Sequence, residues 1–226
     1  MYTLWILNKN YSSWSLRPWL LMRTLGIAFE ERLVPFGQAW EGRSLAQISP
    51  SGRVPMLEDR GLQVWDSLAI VEYLAERHPA VWPHPSAARA YARSAAAEMH
   101  SGFMALRSTC SMSCGQRVRL HALGDGLRAD IARLERLWQD GLHAHGGPWL
   151  AGSRFTAVDA FFAPVAFRMK TYALPFGAVA MDYLQRLLQL PAMQEWYAAG
   201  LAEPWRDADH DQEILAAGTV LEDLRA

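Results

Sequence analysis

The sequence predicts an α/β domain followed by an all-α domain. Three observations carry that expectation. The first 80 residues alternate short β-prone runs with helical periods. A proline-rich stretch follows. After it, the apolar spacing is helical almost throughout.

Tyr2–Leu7 is a short β-prone run. Ser15-Leu16-Arg17-Pro18 opens a helix, with Ser15 as cap and Pro18 in the first turn, where a missing N–H costs nothing. Leu16, Trp19 and Leu20 follow the helical period, and Gly26 ends it. Glu30–Leu33 is a second strand. Phe36–Ile48 reads as loop plus one short helix. Val54–Leu57 and Leu62–Trp65 flank the turn sequence Glu58-Asp59-Arg60-Gly61 and form a hairpin. Asp66 or Ser67 then caps a helix through Arg77. The order is β-α-β-α-β-β-α.

Pro79, Pro83 and Pro85 cannot continue a helix, so the boundary falls there, between a domain at 1–80 and one at 86–226. Ala87–Ser108 is long and Ala-rich. Leu127–His143 carries an apolar stripe at Leu127, Ile131, Leu134, Leu137 and Trp138. Further helices start at Thr156-Ala-Val-Asp159 and span Met181–Leu188 and Met193–Leu201.

Composition excludes several classes. Lys+Arg is 22 against 23 Asp+Glu, so the basic excess of a nucleic-acid binder is missing. No apolar run is long enough to span a membrane, and the start of the chain has no basic segment of a signal peptide. Two cysteines, Cys110 and Cys114, exclude a disulfide scaffold and suit a reducing cytoplasm. Their spacing puts them on one face of a helix, as idle buried thiols before a redox pair. With scattered histidines they make no metal site; His100 and His121 read as surface or interface residues. Trp14, Trp19, Trp40, Trp65 and Trp82 read as core and interface anchors.

Three segments carry chemistry. In Asn10-Tyr11-Ser12-Ser13-Trp14-Ser15, hydroxyls meet a helix N-terminus; they cap it, or donate to an anion such as a thiolate. In Gly52-Arg53-Val54-Pro55-Met56, a proline opens a strand: an ordinary edge, or backbone left free for a ligand. In Asp66-Ser67-Leu68, two capping residues supply an acceptor and a donor: a simple N-cap, or a grip on an ammonium and a carboxylate. On one sheet edge the three make an elongated site for a thiol, a peptide-like middle and an amino-acid end. That describes glutathione.

At these residues the chain resembles the glutathione transferase superfamily. Val54-Pro55 and Asp66-Ser67-Leu68-Ala69-Ile70-Val71-Glu72-Tyr73-Leu74 look like its glutathione-site signature, and Phe155-Thr156-Ala157-Val158-Asp159 like its helix-capping box. The resemblance implies a thioredoxin-like first domain, a helical second domain, glutathione as co-substrate and a homodimer. Ser12-Ser13-Trp14-Ser15-Leu16-Arg17 is most similar to the zeta-class Ser-Ser-Cys-x-x-Arg pattern, with Trp14 replacing the cysteine. It implies Ser12 as the thiolate-activating residue, with Tyr11 as rival donor, and Ser13, Arg53, Val54, Pro55, Asp66 and Ser67 as the glutathione contacts. A small electrophile is then expected over the second domain, near Met104, Arg107, Thr109, Met112, Arg168 and Tyr172. Met and Tyr suit an adaptable apolar pocket, and either arginine suits a carboxylate. A glutathione-dependent isomerase of zeta type and a non-catalytic glutathione-binding stress protein are the alternatives.

Overall fold

The computed structural model describes residues 1–226. Its first unit runs β1 (Tyr2–Ile6), α1 (Ser13–Thr24), β2 (Phe29–Leu33), α2 (Leu45–Ile48), β3 (Met56–Asp59), β4 (Leu62–Trp65) and α3 (Ser67–Ala75). The sheet order is β2-β1-β3-β4. β1 and β2 are parallel, joined through α1, with Leu4 opposite Glu31; β3 runs antiparallel to β1 and to β4. Leu4, Trp5 and Ile6 are all buried, so both faces of β1 are covered. Leu4 and Ile6 face the main core, while Trp5 packs with Val34, Ile48, Val54 and Met56 on the other side.

Local chemistry moved one boundary. α1 starts at Ser13 with Ser12, not Ser15, as its cap. Pro18 therefore lies inside the helix rather than in its first turn. The Trp14 carbonyl loses its usual donor as a result.

After a 3₁₀ turn at Pro79–Val81, the second unit comprises α4 (Ser86–Ser101), α5 (Met104–Thr109), β5 (Gln116–Leu120), α6 (Asp125–His145), α7 (Ala157–Tyr172), α8 (Ala178–Leu188), α9 (Pro191–Ala202), α10 (Ala208–Ala217) and β6 (Gly218–Asp223). It is helical, with two additions to the expected elements: α10, and a two-stranded ribbon in which β5 and β6 pair antiparallel, Leu120 opposite Gly218. The expected helix 87–108 is broken into α4 and α5. Phe103 sits at φ 57°, a left-handed conformation that ends the run. Arg107 seals the break. Its Nε donates to the Gly102 carbonyl at 2.9 Å, and its Nη2 donates to the Met99 and His100 carbonyls. These are the carbonyls a helix end leaves open.

α7 is the axis of the molecule, buried along nearly its whole length. It starts in a capping box in which Thr156 and Asp159 satisfy each other's backbone N–H groups. α1 packs against α7 and α9, and Trp19 meets Trp196 at 5.0 Å between ring centres. One continuous apolar core therefore joins the two units. No helix is long and apolar enough to cross a membrane.

Candidate active site between the two units

The β1–α1 turn is held from outside its own unit. The buried Glu203 carboxylate, just after α9, accepts the Lys9 N–H at 2.6 Å, the Asn10 N–H at 3.3 Å and the Asn8 Nδ2 at 3.4 Å. Burial pushes this carboxyl up, and the Lys9 and Asn10 N–H bonds pull against it. Trp196 Nε1 donates to the Lys9 carbonyl at 2.8 Å, and Gly115 N–H donates to Asn10 Oδ1 at 3.0 Å. α9 comes this close because residue 200 is glycine. A Cβ there would sit 3.2 Å from the Asn10 nitrogen.

On that turn Ser12 caps α1. Its Oγ accepts the Ser15 N–H at 3.3 Å and donates to Ser15 Oγ at 2.8 Å; Ser15 Oγ also accepts the Leu7 N–H at 3.1 Å. No protein group bonds the Ser13 hydroxyl. Tyr11, the rival donor, is engaged elsewhere. Its hydroxyl donates to Asp211 at 3.0 Å and accepts from Arg225 at 2.6 Å. Burial raises its pKa.

The second segment reaches the same edge. The Val54–Pro55 peptide is cis. The Val54 N–H and carbonyl have no backbone partner, which leaves them free for an extended ligand. In the third segment, Asp66 stands at φ 75° and caps α3, accepting the Leu68 N–H at 2.8 Å. The Ser67 hydroxyl is buried beside it with no partner. An orphaned buried hydroxyl costs roughly 1–3 kcal/mol unless a ligand satisfies it.

Two adjoining cavities collect these residues. One of about 400 Å³ is lined by Pro55, Asp66, Ser67 and Trp65 among others. One of about 650 Å³ is lined by Ser12, Ser13, Met104, Arg107, Met112 and Arg168 among others. Trp14, Arg53 and Val54 border both. Most of the expected site residues thus lie in one cleft. Tyr172 and Thr109 do not line it. Tyr172 is buried behind the wall, its hydroxyl donating to the Ser111 carbonyl at 2.8 Å, so its expected contact with a substrate is corrected to support of that wall.

The tryptophans divide. Trp19 and Trp82 are buried anchors, whereas Trp14 and Trp65 are exposed enough to line the cleft. The Arg17 and Arg107 guanidinia both lie against Trp14, at 4.2 and 4.7 Å from its ring centre.

The larger cavity is cationic. Arg168 is almost fully buried, and its Nε donates to the Cys110 carbonyl at 2.7 Å. No carboxylate pairs with Arg17, Arg107 or Arg168. Burial and the neighbouring Arg107 lower the Arg168 guanidinium to about 10. An anion there would relieve both effects.

Three ionisable lining residues escaped the sequence reading. His100, expected on the surface or an interface, lines the larger cavity and stands 3.4 Å from Asp66. Burial lowers its pKa, with Asp66 opposing. His210 and Glu213 come from α10, for which no start signal was read. Cys110 and Cys114 share no helix face, because α5 ends before Cys110. Both thiols are buried and free, and burial pushes Cys110 up to about 12 and Cys114 further.

A thioredoxin-like sheet unit docked on a helical unit, with a cleft at the β1–α1 turn, defines the fold of glutathione transferases. The N-terminal domain model of glutathione S-transferase matches residues 11–77 and the C-terminal domain model matches 116–199, so the chain belongs to this family. It is 24% identical over 176 residues to a probable maleylacetoacetate isomerase of Caenorhabditis elegans, covering 77% of this chain and 80% of that one. It is 26% identical over 191 residues to a stringent starvation protein A homologue of Pasteurella multocida, covering 82% and 84%. Among solved structures it is similar to a glutathione transferase homologue from Burkholderia GL BGR1 with bound glutathione. That match has a TM-score of 0.66 and 23% identity, and covers 88% of this chain and 97% of that one.

Proposed function

We propose that this chain is a glutathione transferase. Residues 1–80 bind glutathione as co-substrate, and 86–226 hold a small electrophile. The observation that carries this is the continuity of the two cavities across Trp14, Arg53 and Val54. A glutathione in the smaller cavity has Asp66 and Ser67 at its glutamyl end and the free Val54 backbone at its middle. Its sulfur then falls toward Ser12. The Ser12 hydroxyl turns from Ser15 Oγ to the sulfur, and Ser15 keeps its bond from Leu7. A hydroxyl and the helix N-terminus both favour thiolate over thiol, and thiolate is the nucleophile.

Unpaired Arg168 favours an electrophile that carries a carboxylate. That property also supports the isomerase alternative, in which the thiolate adds to an unsaturated acid and leaves again. The engagement of Ser12 with Ser15 supports the non-catalytic alternative. Retention on glutathione resin together with turnover of a generic electrophile decides for the transferase; retention without turnover decides for the binding protein.

Ser67→Ala is expected to raise the KM for glutathione several-fold and to leave kcat within about twofold. Its hydroxyl meets a part of the ligand that does not react, so its contribution is the same in ground and transition states. Steady-state kinetics in glutathione checks this. A collapse of kcat at normal glutathione affinity overturns the assignment.

The proposal extends to a cytoplasmic homodimer acting in detoxification. Sedimentation is expected to give twice 25.4 kDa, and a mass near 25.4 kDa at micromolar concentration overturns the dimer.

A further inference from the structure

α10 brings a second ionisable pair to the electrophile cavity. Asp207 caps this helix and accepts the His210 backbone N–H at 3.2 Å. The same carboxylate oxygen lies 2.5 Å from His210 Nδ1. A carboxylate only accepts, so Nδ1 carries the hydrogen, and in the neutral ring Nε2 is the free acceptor. Nε2 has no partner in the protein, and the ring lines the larger cavity. A histidine oriented by a carboxylate on one nitrogen and open on the other is the arrangement used for proton transfer.

The pair is also held in register with the catalytic turn. The His210 ring packs 5.2 Å from Tyr11 and 4.9 Å from Phe36, centre to centre. The Tyr11 hydroxyl accepts the Asp207 N–H at 3.4 Å and bonds Asp211 and Arg225. Tyr11 precedes Ser12, so one side chain ties the start of α10 to the residue beside the sulfur. Arg225 is itself fixed by Asp223 at 2.6 Å. Glu213, a turn further along α10, lines the same cavity.

We propose that His210, oriented by Asp207, is the proton donor in additions to α,β-unsaturated carbonyl acceptors: the bound thiol gives its proton to water as the thiolate forms at Ser12, and His210, protonated from water, gives one to the acceptor. The S–H bond breaks with its proton leaving to water, water protonates Nε2, and Asp207 stabilises the imidazolium. The sulfur then bonds the β-carbon, and the π pair moves onto the α-carbon and carbonyl. The Nε2–H bond breaks as the α-carbon takes the proton. Glutathione and acceptor combine with nothing left over, and no oxidant or reductant is needed. In a chloride displacement, by contrast, chloride leaves with the bonding pair and no proton returns to carbon. The inference rests on the transferase reading above.

The test compares the full-length parent with His210→Gln and Asp207→Asn on two probes, a conjugated enone and 1-chloro-2,4-dinitrobenzene. Melting curves and glutathione titrations are run on each. His210→Gln is expected to lower enone addition about a hundredfold, the usual range for loss of a general acid–base group. Chloride displacement should fall less than threefold, and glutathione affinity should be unchanged. Asp207→Asn should lower enone addition about tenfold, as a positioning residue. In D₂O the parent should deuterate one face of the α-carbon, and His210→Gln both faces. Equal losses on the two probes would make His210 only a wall of the cavity and overturn the proposal, as would undiminished enone addition. A parent that binds glutathione but turns over neither probe overturns the transferase reading itself, and the proton donor with it.

Discussion

Ser12→Ala is expected to turn over ten- to a hundredfold more slowly than the parent near neutral pH. It should recover part of the rate as the pH rises. A free thiol has a pKa of about 8.5, so most glutathione is protonated at pH 7. A hydroxyl bond to the bound sulfur anion contributes about 1.5–3 kcal/mol. At about 1.4 kcal/mol per pKa unit, its loss raises the bound thiol by roughly one to two units. The thiolate fraction at pH 7 falls by the same factor and returns once the pH passes the raised value. Glutathione affinity should hardly change, because most contacts lie along the backbone of the tripeptide. Stability is a separate effect. Ser12 also caps α1 through the Ser15 N–H, so alanine costs about 1 kcal/mol of folding free energy. A pH–rate profile and a melting curve separate the two. Ser13→Ala is the informative control, since its hydroxyl has no protein partner and lines the same cavity. If Ser13→Ala gives the shifted profile and Ser12→Ala does not, the donor is Ser13. Tyr11→Phe should leave the profile in place, because that hydroxyl is held by Asp211 and Arg225. A shifted profile in Tyr11→Phe alone would move the role to the tyrosine.

The largest loss of stability is expected from Asp159→Ala. Asp159 is fully buried and accepts the Leu150 N–H at 3.1 Å, the Thr156 N–H at 2.9 Å and the Tyr183 hydroxyl at 3.1 Å. Alanine strands all three donors inside the core. At roughly 1–3 kcal/mol for each orphaned group, with partial relaxation, the cost is roughly 3–5 kcal/mol. The pH dependence has a definite sign. Burial pushes the Asp159 carboxyl up to about 6 against the pull of its hydrogen bonds. The folded protein therefore binds this proton more tightly than the unfolded chain does. The resulting stability is fully present below about pH 4, the unfolded value, and is lost as the pH rises through about 6. In that window it falls by at most about 1.4 kcal/mol per pH unit. Urea unfolding at pH 5, 6 and 7.5 should show the gap between parent and Asp159→Ala narrowing as the pH rises. A gap that is constant or widens overturns the raised carboxyl, and a gap under 1 kcal/mol overturns the role of the box.

What the sequence by itself determined is local. Caps, prolines and strand patterns act within a few residues, so the order of the first seven elements was legible. So were a cap at Asp66 or Ser67, which the structure settles as Asp66, the Thr156–Asp159 box and the three segments that meet at the cleft. Even there, capping chemistry alone did not distinguish Ser12 from Ser15, because both hydroxyls stand at the same helix start and each bonds the other. What the tertiary structure decided is long-range. Arg107 closes the break at Phe103 by reaching back to α4 carbonyls. β5 and β6 pair across about a hundred residues of chain, and neither is patterned strongly enough to announce itself alone. α10 is a short helix whose place depends on Tyr11 and Arg225, so His210 carried no signal until it was packed against the turn. Side-chain roles depended on the same packing. Tyr172 and Arg168 lie one turn apart on α7, yet one hydroxyl is spent on a buried carbonyl while the other residue's cation lines the cavity. A side chain's chemistry is written in the sequence, but whether its polar atoms are already satisfied is set by partners far along the chain.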